Sequence, residues 1–271
     1  MADNDEFDPR AYWERRLDAD WNQQGVGHAS LGQNLNKWQY RLRHDRFAQV
    51  VSSVGIEPST SRVLDVGSGT GEYIHAWRSL GADDVTGMDL TDAAVTRLRE
   101  RFPETTVVRR DITEDVDDFP AGQFDVISCM DVLFHVTDDD RYVSALRNIG
   151  RLLRPGGFFV WSDLFLHGRE SRGGHIVWRS LKRAEDAVRA ADMDVVLREP
   201  LFWLLNEPRD TKIPGALTAW KGGMWLVSRN ERVADSIGQR LWRLDARLTS
   251  HRRESPSTEI MVCRRREVEQ G

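Results

Sequence analysis

The residues best placed to do chemistry lie in Val63-Leu64-Asp65-Val66-Gly67-Ser68-Gly69-Thr70-Gly71-Glu72-Tyr73, where an apolar run meets three glycines at alternate positions. Glycine lets a turn adopt positive φ and lets a ligand approach the backbone with no Cβ between them. The spacing is G-x-G-x-G. A dinucleotide fingerprint G-x-G-x-x-G would put glycine where Glu72 stands, and the phosphate-cradling G-x-x-x-x-G-K-S/T is absent. Two carboxylates follow. Asp89, just before Leu90, comes 18 positions after Gly71 and suits an acceptor for both hydroxyls of a ribose. Asp111 suits an acceptor for an adenine amino group, with the backbone N–H of Ile112 turned to the ring. Each alone also fits a solvated turn residue; with the glycine turn they describe an adenosine site.

A second group could move a proton. His135 follows a fourth apolar run, and His167 and His175 follow a fifth; histidine is the usual base for a hydroxyl or an ammonium. Strand ends of this kind are where open α/β sheets bind ligands. If His175-Ile176-Val177-Trp178-Arg179 is helical, His175 and Arg179 share a face and set a base beside an anion-binding fork. The alternative is structural: a hydrogen-bonded His135, a capping His175 and a surface Arg179. Tyr40, Arg41 and Arg43 are spaced to reach a cofactor carboxylate from a lid, or are ordinary helix surface. Asp138, Asp139 and Asp140 are consecutive, so they suit a helix start and no metal site is expected. Cys129 and Cys263 sit in apolar runs and read as buried thiols.

The elements that must position these residues alternate. Strands are expected at Arg62–Val66, Asp84–Asp89, Thr105–Arg110, Phe124–Cys129 and Phe158–Asp163, with helices at Tyr73–Leu80, Asp92–Arg101 and Asp138–Leu153. The last of these ends at the stop signal Arg154-Pro155-Gly156-Gly157. Such alternation predicts an α/β fold, a doubly wound and mostly parallel sheet. Helices at Asp8–Asp20 and Asn36–Val54 flank a Gly/Gln/Asn-rich loop at Gln23–Asn34 and form an N-terminal helical lid over residues 1–57. The main domain is then 58–271. Within it, a helix at Ser180–Ala191 and a strand at Met193–Leu201 precede an irregular stretch, a helix at Glu231–Ser250 and a last strand at Glu259–Arg264. Residues 202–256 read as an insertion that caps the substrate pocket. Eight of the ten tryptophans lie in these flanks, as buried bulk for thin layers or as walls of an aromatic pocket.

Composition narrows the partners. The chain has 271 residues, 38 basic and 43 acidic side chains for a net charge of -5, and a mean hydropathy of -0.53. That balance gives no global pull on nucleic acid or an anionic membrane, so neither is an expected partner. No apolar run has transmembrane length and the N-terminus lacks a signal-peptide pattern, which points to the cytoplasm. The oligomeric state is not legible.

The segment from Ser61 to about Asp163 resembles the class I S-adenosylmethionine-dependent methyltransferase family. The likeness rests on LDVGSGTGEY, GMDL, RRDI, FDVISCMDVLFHV and LLRPGGFFVWSD. It implies S-adenosylmethionine as cofactor, with Asp65, Gly67, Ser68, Gly69 and Gly71 around the methionine part and Asp89 with Leu90 at the ribose. Asp111 and Ile112 would frame the adenine, while Cys129, Met130 and Asp131 would line the cofactor after the fourth strand. The N-terminal YWERRL, GVGHASLG and NKWQYRLR look like a bacterial extension that folds over the cofactor.

In-line displacement at a sulfonium methyl chiefly needs an aligned nucleophile, which suits a chain without an evident catalytic apparatus. The expected function is methyl transfer to an O or N atom of a small acceptor. Methylation of RNA, DNA or protein is a second reading, opposed by the acidic balance and by Cys129-Met130-Asp131-Val132 where an Asn/Asp-Pro-Pro-aromatic tetrad would stand. A non-catalytic module that senses the cofactor is a third.

Overall fold

The protein is described from a computed structural model, over residues 7–22 and 31–267. Apolar β-branched runs form β1 (Arg62–Val66), β2 (Asp84–Asp89), β3 (Thr106–Arg109), β4 (Phe124–Met130) and β5 (Leu153–Asp163). With β8 (Met193–Pro200) and β9 (Glu259–Arg265) they make a seven-stranded sheet in the order β3-β2-β1-β4-β5-β9-β8. Neighbours from β3 to β5 pair parallel; β9 runs antiparallel to both β5 and β8. The chain leaves β1 toward β2 on one side and resumes at β4 on the other. The carboxyl ends of β1 and β4 therefore diverge into a crevice, the place where such sheets take ligands.

Helices cover both faces. One face carries α2 (Gly32–Ser53) and α3 (Glu72–Ser79), whose Phe47, Val50, Ile74 and Trp77 pack on Val63, Val126 and Val160. The other carries α5 (Asp139–Leu152) and α6 (Leu181–Ala190), packed on Leu64, Ile127, Cys129 and Trp161. Adjacent residues of a strand fall on opposite faces, as the pleat requires. Caps fix the helix starts: Asp8 accepts from Ala11 N before α1 (Pro9–Ala19), Thr91 from Ala94 N before α4 (Asp92–Arg101), and Ser180 from Arg183 N before α6.

Four segments differ from expectation. α2 begins at Gly32, inside the loop expected at Gln23–Asn34; residues 23–30 lie outside the described residues. No separate turn divides α5 from β5, because the strand starts at Leu153 and takes Gly156 in at φ 74. The stretch expected as a possible helix at His175–Arg179 is the second arm of a hairpin, β6 (Ser171–Gly173) and β7 (Ile176–Trp178). Between β8 and β9 there are two helices where one is expected, α7 (Ala216–Ser228) and α8 (Glu231–His251).

These two helices brace the lid and do not cap the pocket. Trp38 of α2 lies over Gly238, where any Cβ would collide with the indole, and stacks obliquely on Trp242 at 5.5 Å. Trp242 donates to Asp45 at 2.9 Å and Trp38 to Asp235 at 2.9 Å. Buried Asp245 accepts the backbone N–H groups of Trp203, Leu204 and Leu205 at 3.0, 2.7 and 2.9 Å. Asp245→Ala strands those donors and should cost about 3 kcal/mol or more of stability. Asp245→Asn, which keeps one acceptor, should cost less; urea unfolding with equal midpoints for both variants would contradict the assignment.

Candidate functional site

The turn after β1 carries three positive φ values, 71° at Gly67, 50° at Gly69 and 84° at Gly71, a run that only glycines adopt without strain. It is tied to the end of β2: the N–H groups of Gly67 and Ser68 donate to Met88 O at 2.8 and 3.0 Å, and Gly69 N–H donates to Asp89 at 2.8 Å. Gly67, Ser68 and Gly69 line a cavity of about 300 Å³, large enough for a small-molecule site. Gly71 does not line it. A Cβ there would run into Phe102 and Leu98 of the α4 end, so Gly71 serves helix packing.

Asp89 and Leu90 line the cavity beside the turn. Asp89 takes Thr91 N–H and hydroxyl on one oxygen, at 2.9 and 2.8 Å, and Gly69 N–H on the other. An ionised carboxylate has about four acceptor positions, so one remains for a hydroxyl. Burial pushes its pKa up, against these hydrogen bonds. Asp111 and Ile112 line the next stretch. Asp111 holds Thr113 N–H and hydroxyl at 2.8 and 2.7 Å and pairs with Arg141 at 2.6 Å, which leaves it one acceptor position as well.

Met130 and Asp131 line the cavity after β4, whereas Cys129 points into the core on the α5 side. Asp131 has φ 59 and exchanges hydrogen bonds with Ser162 at 2.8 Å. Its other oxygen accepts from Arg43 Nε at 2.7 Å. Arg43, buried on α2, lies over Tyr40 at 5.2 Å and Phe202 at 4.6 Å. Tyr40 lines the cavity; Arg41 does not, because it sits on the outer side of α2, beside Asp45 at 3.3 Å and over Trp242 at 5.6 Å. Of the three residues expected to reach a cofactor carboxylate, Arg41 thus faces away from the cavity. Asp65 is buried behind the turn and not in the lining, accepting from Ser128, which itself accepts from Trp77. Burial raises its pKa to about 7.

α1 and the β4 exit add Trp13, Leu17, His135 and Thr137 to the lining of the cavity. α1 is docked on α4: Glu14 accepts from Asp92 N and Ala93 N at 2.9 and 2.8 Å, capping that helix. His135 lines the cavity with Trp13 edge-on at 4.8 Å. Its Nδ1 is 3.1 Å from the carbonyl of His175, so Nδ1 carries the proton and Nε2 is the acceptor. Burial pushes the His135 pKa down to about 3, and the ring is neutral at ordinary pH.

His175 and Arg179 stand behind this wall and outside the lining. His175 stacks on His135 at 5.3 Å and on Tyr12 at 4.6 Å, with Tyr12 hydroxyl to Nε2 at 3.3 Å. Arg179 is buried over Tyr142 at 3.9 Å and ties Asp139 and the carbonyl of Val136 at 2.9 and 2.8 Å. It clamps the loop that carries His135. The extended hairpin, in place of a helix, turns Arg179 inward, so it is not an anion fork for the acceptor. His167 pairs with Asp210 at 2.5 Å, away from the cavity.

Residues 63–157 match the model of a methyltransferase domain family. That match lies within the segment from Ser61 to about Asp163 whose motifs resemble those of class I S-adenosylmethionine-dependent methyltransferases. A ubiquinone biosynthesis O-methyltransferase of Alkalilimnicola ehrlichii is 38% identical over 126 residues, 45% of this chain and 48% of that protein. The chain thus spans about half the length of such curated relatives. Among solved structures, a magnesium protoporphyrin IX methyltransferase from Synechocystis superposes with a TM-score of 0.57 at 13% identity, over 97% of this chain and 99% of that one. The cyclase SpnF does so with 0.53 at 20% identity, over 83% and 81%. At these identities the structures speak for the fold.

S-adenosylmethionine fits the cavity by the polar atoms left over. Arg43 Nη1, Tyr73 hydroxyl and Asp65 Oδ2 are buried without hydrogen-bond partners among the described residues. Of these, Tyr73 lines the cavity and Arg43 lies over Tyr40, which lines it too, while Asp65 stays behind the turn. Donors such as Arg43 and Tyr73 are what the carboxylate of an amino-acid end group requires. If Asp89 holds the ribose, Asp89→Ala should weaken S-adenosylhomocysteine binding by about 1.5–3 kcal/mol; calorimetry on a folded variant with unchanged affinity would remove that role.

Proposed function

We propose that the protein transfers the methyl group of S-adenosylmethionine to an oxygen of a small-molecule acceptor. One observation carries the reading: a single cavity joins the glycine turn, Asp89 and Asp111 to an end where neutral His135 meets Trp13. The fold alone would not suffice, since the cyclase SpnF shares it. The names of relatives matched over about half their length add O-methylation of a small molecule.

When bound, the cofactor supplies a methyl group already activated by its sulfonium charge. Arg43, Tyr40 and Tyr73 hold the amino-acid end, Asp89 the ribose, and Asp111 with Ile112 the adenine. His135 accepts the acceptor's O–H at Nε2, turning a lone pair of the oxygen to the methyl carbon. As the C–O bond forms and the C–S bond breaks, that oxygen becomes strongly acidic and its proton passes to His135. A base with a pKa of about 3 is adequate for a proton released so late. His175 is a positioning residue, acting through its carbonyl on the His135 tautomer.

A panel of phenols, sugars and amines, read by S-adenosylhomocysteine release and product mass, tests this. Methylation of a hydroxyl is the expected result. Turnover confined to amines or to nucleic acid would reject the reading, as would tighter binding of NAD than of either adenosyl compound.

A further inference from the structure

We infer that the outer faces of α7 and α8 form a docking surface for an anionic lipid bilayer. α7 turns Trp220, Met224 and Val227 inward onto Leu31, Leu35 and Ala234. Its opposite face shows Trp225 and Leu226 at 59% and 63% exposure, and Ile213 just ahead of the helix is 70% exposed. α8 is packed inward through Gly238, Trp242 and Asp245, and exposes Val233 and Leu244. Large apolar side chains left exposed on the outer sides of two adjacent helices are what a covered surface carries.

The charge around them identifies the cover. Between Lys212 and Arg253 the sequence holds nine basic and three acidic side chains, a net of +6 in a protein of net -5. The three acids are engaged: Glu231 accepts from Asn34, Asp235 pairs with Lys37, and Asp245 is buried. α7 itself contains no acidic residue. Arg232, Arg240, Arg243 and Arg247 are exposed on α8 and form no ion pair among the described residues. Aromatic and aliphatic side chains at the centre with unneutralised Arg and Lys around them is the pattern of a helix lying in a membrane interface. Tryptophan with a cation beside it, as Arg229 over Trp225 at 4.6 Å, suits the headgroup boundary. A second copy of the chain is a poorer occupant, because a twofold contact would set the arginines against themselves.

The overall acidic composition conceals this patch, which is why charge counting argued against a membrane partner. Among the described residues no helix is long and apolar enough to cross a bilayer. The lid helix α2 lies between this surface and the cavity, with Trp38 toward α8 and Tyr40 toward the site.

Flotation with vesicles of phosphatidylglycerol and phosphatidylcholine in equal parts tests the inference, against vesicles of phosphatidylcholine alone. The full chain should partition at least tenfold better onto the anionic vesicles and should be released by salt. Arg232→Gln, Arg240→Gln, Arg243→Gln and Arg247→Gln combined should lose at least tenfold, each charge contributing up to about fivefold. Trp225→Ser with Leu226→Ser should also lose at least tenfold. Both variants should keep the wild-type melting midpoint and S-adenosylhomocysteine affinity. No partitioning by the wild type, equal partitioning by the variants, or patch-dependent binding of duplex DNA or dimerisation in place of vesicle binding would each overturn it.

Discussion

Replacing His135 with alanine should lower turnover by about 10²–10⁴-fold while S-adenosylhomocysteine binds as before. Alignment supplies most of the rate in a displacement at an activated methyl, so activity persists at a reduced level. On the proposed reading the affinity is spared because the turn, Asp89 and the Arg43 cluster, not His135, hold the cofactor. His175→Ala keeps the backbone carbonyl that fixes the His135 tautomer and should cost much less. The pH behaviour separates a base from a wall residue. Because burial holds His135 at about 3, the rate should show no acidic limb near 6.5. Folding shows the same shift. The unfolded imidazole takes its proton near 6.5 and the folded one refuses it until about 3, so stability falls as pH drops through that window. From pH 7 to pH 5 this amounts to about 2 kcal/mol, and His135→Asn should lose correspondingly less stability over the same range. Wild-type turnover in His135→Ala, or identical acid sensitivity in His135→Asn, would move the proton acceptor elsewhere.

Residues whose position follows from local pattern were legible, and those whose position follows from long-range packing were not. β1 and β2 were read to the residue because a short β-branched run ends at a glycine or an acid. Asp138 as a cap follows from the chain alone. In β4, however, every residue from Val126 to Met130 is buried, since helices cover both faces. A strand without alternation does not show that Cys129 faces the core and Met130 the cavity. Arg43 and Arg41 look alike in the sequence; only the arrival of Asp131, 88 positions later, distinguishes them. α7 was missed for a local reason: Gly222 and Gly223 weaken it, and its apolar residues lie on both faces. The insertion is expected to cap the pocket, but its inner apolar residues brace α2, and it is α1 that contributes Pro9, Trp13 and Leu17 to the lining.

The glycines of the turn offer the second large effect, because the structure separates two functions that the motif merges. Gly67 lines the cavity at φ 71, and a Cβ there would collide with Val132, itself part of the lining. Gly67→Val therefore pushes Val132 into the space the cofactor needs, or forces the turn out of its left-handed conformation and away from Met88 O. Either course should abolish detectable S-adenosylhomocysteine binding, while the fold, losing about 1–3 kcal/mol to strain, should still unfold cooperatively. Gly71→Val has the opposite consequence. Its φ of 84 imposes similar strain, but its Cβ meets Phe102 and Leu98 in the packing of α3 against α4. Overpacking adds typically 1–3 kcal/mol to that strain, so this variant should lose more stability than Gly67→Val. Calorimetry and urea unfolding on both proteins decide the matter. Full cofactor affinity in folded Gly67→Val would show that the turn does not carry the amino-acid end, and the site would have to be built from α2 and β4 alone.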